Sequence, residues 1–102
     1  MIDYTFIIDA VESVVCEQVG VEREDVLGKT RKGACVKARH LSIFILHFNY
    51  RVTTRELSER YGCTKKHIFG VNAQMRNYMA YSSDYRELYE KVIDSLEGIR
   101  NS

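Results

Sequence analysis

TTRELSERYGCTKKHIFGVNAQMR, residues 53–76, holds two short amphipathic patterns on either side of Gly62. Leu57 and Tyr61 stand four apart before the glycine, and Ile68 and Val71 three apart after it. Each segment can therefore turn one apolar stripe inward as a helix. Glycine closes a tight turn between such segments, and Ser58, one turn earlier, leaves room for the second helix to cross closely. Thr53 and Glu56 have capping-box spacing, and Thr64 is placed to cap the second helix. The pattern predicts a helix-turn-helix over 53–80. Immediately after its cap the second helix carries Lys65 and Lys66, where the helix dipole favours carboxylates by roughly 0.3–1 kcal/mol each. A phosphate beside that helix end reverses the sign. The local conflict marks a surface suited to a polyanion.

Working outward, the chain lacks proline and repeats a 3.6-residue apolar period, which predicts an all-α domain of five to six helices. Segment 1–27 holds an N-terminal helix and a short one. Ile7, Ile8, Val11, Val14, Val15 and Val19 share a face of residues 4–19, and Gly20 stops them. In VEREDVLG, Val21, Val26 and Leu27 are expected to pin one helical turn to the core before Gly28. GKTRKG, 28–33, is a basic loop bounded by glycines. The helix over 33–49 is apolar nearly all round (Cys35, Val36, Ala38, Leu41, Ile43, Phe44, Ile45, Leu46, Phe48), the mark of a central, buried helix. Arg39 interrupts it, sharing a narrow polar strip with Lys32 and Ser42. NYRV, 49–52, turns into the helix-turn-helix. A last helix over 84–98 is expected to begin at Asp84, with Glu87 completing a second capping box, and to fray at Gly98. Its stripe is Tyr85, Leu88, Tyr89, Val92, Ile93, Leu96 and Ile99. The 102 residues fit a single domain, with no repeat or linker.

The net charge is only +1, but its distribution is polarised. Residues 29–76 hold eleven Lys and Arg against Glu56 and Glu59, a segment net of +9, while the flanks carry −8. Such separation orients a protein on a polyanion. Cys16, Cys35 and Cys63 are odd in number and far apart, and His40, His47 and His67 lack ligand partners at helical spacing. Neither a disulfide framework nor a metal site follows. No apolar run reaches membrane-spanning length and the start lacks a basic signal head, so a cytoplasmic, nucleoid-associated protein without a membrane is expected. No carboxylate pair or nucleophile–base pair falls on one surface, so no catalytic residue is expected. Cys63 and His67 at i, i+4 come nearest, with the thiol read as filling the turn. There is no Gly-rich phosphate loop ending in Gly-Lys-Ser/Thr, so neither nucleotide nor other cofactor is expected.

From about Val15 to Leu96 these features resemble the C-terminal DNA-binding domain of the bacterial replication initiator DnaA, of the Trp-repressor-like helix-turn-helix superfamily. VCEQVGVEREDVLGKTRK resembles its short helix and basic loop, and VKARHLSIFIL its long central helix. TRELSERYG resembles the first helix of its helix-turn-helix. The resemblance implies a stand-alone relative with that fold, docked on double-stranded DNA. It also implies that Arg39 takes the place of the arginine that enters the minor groove. The family opens its recognition helix with Arg-Asp-His-Thr-Thr; here, allowing a one-residue deletion, the place reads Cys63-Thr64-Lys65-Lys66-His67. None of the five is retained, so selectivity for a sequence other than the initiator's usual box is expected.

In the expected docked state the second helix lies in the major groove with Thr64, Lys65, Lys66, Phe69, Gly70 and Ala73 outward, and His67 and Asn72 within reach of bases or phosphate. Lysine can donate to guanine, and Phe69 can touch a thymine methyl. Gly70 in mid-helix costs about 1 kcal/mol against alanine. Close approach of the backbone to DNA, or tight packing of helices, would each account for it. Lys29, Thr30, Arg31 and Lys32 would grip phosphates. Arg39 would either contact the backbone or minor groove or cover apolar neighbours with its stem. A protein-interaction module that keeps the fold without base readout is the alternative. A homodimer is a further one, with Tyr4, Phe6, Tyr78, Tyr81 and Tyr85 as exposed-aromatic candidates.

Overall fold

The computed structural model describes residues 3–28 and 30–100, the last two by backbone alone. It is all-helical among those residues, with α1 Thr5–Val19, α2 Arg23–Leu27, α3 Gly33–Phe48, α4 Thr54–Tyr61, α5 Lys65–Tyr81 and α6 Ser83–Arg100. None of these helices is long and apolar enough to cross a membrane.

Helix α3 is the hub, lying against α1, α2, α4 and α5, while α1 and α5 also pack on α6. The all-round apolar pattern is the reason: Leu41 to Leu46 are six consecutive buried residues, which only a helix enclosed on several sides can bury. Val11 and Val15 of α1, Leu57 of α4, Ile68, Val71 and Met75 of α5, and Val92 and Leu96 of α6 close around it. Gly20 ends α1 in the left-handed region at φ 84°, where its N–H reaches the Cys16 carbonyl.

The structure corrects several details. Ser42 is not on a polar strip; it is buried, with its hydroxyl donating to the Ala38 carbonyl at 2.8 Å. That local bond satisfies it inside an apolar helix. Leu27 is 37% exposed rather than pinned, because the five-residue α2 buries only Val26. Phe48, at the end of α3, is exposed although it stacks on Phe44 with ring centroids 5.3 Å apart. Helix α6 starts at Ser83, and the oxygen that receives the Tyr85 N–H belongs to Ser82, not Asp84. The helix also runs through Gly98 to Arg100, and the side chain of Ile99 lies outside the described residues. Between α3 and α4, Arg51 takes φ 58°. A non-glycine residue there is strained; the turn delivers Val52 to the core, its N–H bonded to the Leu46 carbonyl at 3.0 Å.

Candidate nucleic-acid interface

The turn between α4 and α5 is built as its residues dictate. The Thr53 hydroxyl accepts the Glu56 N–H at 3.1 Å, and the Thr64 hydroxyl accepts the His67 N–H at 3.0 Å. Gly62 takes φ 63°, the left-handed value that favours glycine. The Ser58 carbonyl receives the N–H groups of both Gly62 and Cys63. Leu57, Ile68 and Val71 are buried and Tyr61 is partly so, which fixes the roll of both helices. On α5, Lys65, Lys66, His67, Phe69, Gly70 and Ala73 are exposed.

Asn72 is the exception. It is only 5% exposed, so the reach toward bases expected of it is lost. It stands one turn from Ile68 and close to Met75, inside the stripe that packs on the core. Neither its amide nitrogen nor its oxygen has a partner among the described residues. Gly70 resolves the other way: a Cβ there would meet nothing within 4 Å, so no helix packing requires the glycine.

What holds the unit to the rest of the molecule was not anticipated from the sequence. Glu12 of α1, in an otherwise apolar stripe, is 1% exposed. It accepts from Arg60 Nη2 at 2.6 Å and Nε at 3.1 Å, from Tyr61 Oη at 2.7 Å, and from Arg23 Nη2 at 2.9 Å. Asp9 adds a second carboxylate 2.9 Å from Arg23. Burial pushes the Glu12 carboxyl up, and the hydrogen bonds from Arg60, Tyr61 and Arg23 outweigh it, leaving it below the ordinary carboxylate range. Burial, then the Glu12 charge, push the Tyr61 phenol well up. Arg60 therefore spends its charge inward, tying α4 to α1 and α2, and contributes little to an outward field. A Glu four residues after Ile8 and one after Val11 is the only hint in the sequence.

Arg39 has a comparable role on the other side. Its Nε donates to the Val26 carbonyl at 2.7 Å, and Nη2 to those of Gly28 at 2.8 Å, Thr30 at 3.2 Å and Asp25 at 3.4 Å. The guanidinium thus gathers the end of α2 and the start of the basic loop onto α3. Lys29 lies outside the described residues. Thr30 turns its hydroxyl to the Lys32 N–H at 3.4 Å, and Arg31 and Lys32 are exposed.

These pieces meet. Gly28, Thr30 and Arg31 of the loop, Arg39 of α3, Tyr61, Gly62 and Cys63 at the turn and His67 of α5 line one open hollow of about 260 Å³. His67 also meets His40 of α3, ring centroids 6.3 Å apart and edge to face. Burial, then His67 and Arg39, lower the His40 pKa. Among the described residues no carboxylate lines the hollow. Glu56 and Glu59 instead line a different depression, with Thr5, Ile8, Asp9 and Arg60. Arg31, Lys32, Lys65, Lys66 and Arg76 are exposed and hold no ion pair among the described residues.

No family model matches the chain. Over 84 residues it is 26% identical to the chromosomal replication initiator protein DnaA of Leptospira biflexa serovar Patoc. Over 96 residues it is 23% identical to the protein of the same name from Synechococcus sp.. The chain is similar to DnaA. The two alignments take in 82% and 92% of this chain. It spans only about a fifth of those relatives, 19% and 20% of their lengths. The similarity is that of one compact all-helical unit, covering the basic loop, α3 and the helix-turn-helix together.

Proposed function

We propose that this chain binds double-stranded DNA, seating α5 in the major groove while Arg31 and Lys32 hold the adjoining backbone. One observation carries this: the loop, Arg39 and the start of α5 border a single hollow free of carboxylates among the described residues. One duplex can therefore touch the loop and α5 together. Similarity to a chromosomal replication initiator over most of the chain supports the same reading. Lys65 and Lys66, unfavourable at a free helix end, gain by meeting phosphate. Arg39 acts as a positioning residue, holding the loop at the height where its cations face the backbone.

The testing experiment is a titration of the protein against duplexes at several salt concentrations. With 6–8 phosphate contacts, log K falls against log salt with a slope of about −5 to −7. Selection from a random duplex pool at near-physiological salt then returns an enriched sequence different from the initiator's box. Binding that ignores salt, or no binding, overturns the proposal.

A further inference from the structure

The outward face of α5 carries something that holding phosphates does not need. Lys66, Phe69, Gly70, Ala73 and Asn77 succeed one another at helical spacing, all exposed. Phe69 leaves 59% of its surface in water. Beside it Gly70 bares the helix backbone at a position where alanine would make a more stable helix and where a Cβ would touch no other part of the protein. Ala73 keeps the next turn nearly as low. Between Lys66 and Asn77 the face thus combines one apolar ring with two positions, Gly70 and Ala73, that carry little or no side chain.

The usual bidentate readers of base edges are scarce beside Phe69 and Gly70, the exposed Asn77 standing two turns beyond them. Asn72 is buried, and the Gln74 amide donates to the Tyr78 hydroxyl at 2.9 Å. Arg76 is the sole arginine of α5 and lies in its fourth turn, where it borders a separate apolar hollow with Phe44, Phe48 and Met79. Lys65 and Lys66 are point charges without the planar fork that matches guanine. An apolar ring and bare backbone are complementary to the one apolar projection on a base edge in the major groove, the C5 methyl.

We infer that α5 reads pyrimidine C5 methyl groups, Phe69 packing on the methyl and Gly70 allowing the backbone to come close enough for that contact. This rests on the DNA-binding reading above and specifies its target. Thymine and 5-methylcytosine carry the same methyl at the same place, so the helix accepts either at those positions. Cytosine methylation then strengthens binding at sites where unmethylated cytosine is poorly bound.

The test starts from the duplex that the wild-type chain selects from a random pool. Each thymidine is replaced in turn by deoxyuridine, which removes the methyl alone. At one or two positions the affinity falls about three- to fivefold, the worth of one methyl withdrawn from apolar contact. At the same positions a change to C·G weakens binding, and 5-methylcytosine recovers a similar three- to fivefold. Phe69→Ala removes the thymidine–deoxyuridine difference. Gly70→Ala raises the thermal midpoint yet binds the selected duplex at least fivefold more weakly. If the chain binds tightly with the expected salt slope and deoxyuridine changes nothing at any position, methyl reading is overturned and DNA binding stands. If Gly70→Ala raises the midpoint with affinity unchanged, the close approach at Gly70 is overturned. If no duplex shows salt-dependent binding, the function proposed above fails and this inference fails with it.

Discussion

Helices α4 and α5 begin alike and diverge at once. Each opens with a threonine whose hydroxyl takes the N–H three residues on. Helix α4 then has Glu56 in its first turn and Arg60 in its last, both in accord with its dipole. Helix α5 has no acid in its first turn and no base in its last, and Lys65 and Lys66 oppose its dipole. Arg60 is tied to Glu12 within the fold, and Arg55 to Glu59 on the surface of α4 at 3.3 Å. The first helix is thus closed electrostatically by the molecule itself, the second left open toward whatever it meets. Charge composition alone cannot separate the two, since both lie in the same basic segment.

The largest way to break this contrast is to open α4. Glu12→Gln leaves Arg23 and Arg60 with Asp9 as their one remaining carboxylate among the described residues, and the expected loss is about 3 kcal/mol, read from the urea midpoint. Acid does the same to the wild type. Because the folded Glu12 carboxyl titrates below its ordinary value of 4.5, its contribution is complete above that pH. It is lost as pH falls through the lowered folded value. A pH series of urea midpoints shows this fall in the wild type, and Glu12→Gln removes the part due to Glu12. A variant as stable as wild type would mean that α4 is held by Leu57 and its apolar contacts alone.

A smaller effect is expected at Arg39, which serves the loop as Glu12 serves α4. Lysine keeps the charge but cannot reach several carbonyls at once. Arg39→Lys is expected to lose about 1.5–3 kcal/mol, with faster amide exchange near Val26 to Thr30. Affinity should drop by a similar factor for every duplex, because a displaced loop weakens backbone contacts without touching base readout. A change in the selected sequence would instead place Arg39 against bases.

Much of this architecture is legible in the sequence. The two threonine caps, the tight turn at Gly62 and the buried α3 follow from local patterns, and each formed as expected. The roll of α5 was legible only in part: Ile68 and Val71 set its inner edge, but two residues cannot show that the stripe widens to bury Asn72. Glu12 and Arg60 are 48 positions apart, and no period in a sequence links partners at that distance. Arg39 stood out as a cation in an apolar helix, which is equally the signature of a surface contact and of an internal clasp. Which carbonyls it would find depended on how α2 and the loop fold back, a tertiary outcome. The cap of α6 lies two residues before the expected Asp84 because Ser82, Ser83 and Asp84 are all competent cap residues, and packing decides among them.

The smallest expected change in stability separates the two helices most sharply. Replacing Lys65 and Lys66 together by glutamate gives α5 the first-turn acidity that α4 already has in Glu56. The fold gains about 0.3–1 kcal/mol for each replacement, seen as a higher urea midpoint. Duplex affinity falls, and the salt slope flattens by about 2 as two phosphate contacts are lost. Arg55→Glu on α4 supplies the control: it exchanges an exposed cation that is already paired with Glu59 and does not line the hollow, and leaves the slope nearly unchanged. Gain of stability with loss of binding identifies Lys65 and Lys66 as residues kept for an anion outside the fold. If the double variant becomes less stable instead, the two ammonium groups serve the fold itself, and the contrast between a closed α4 and an open α5 disappears.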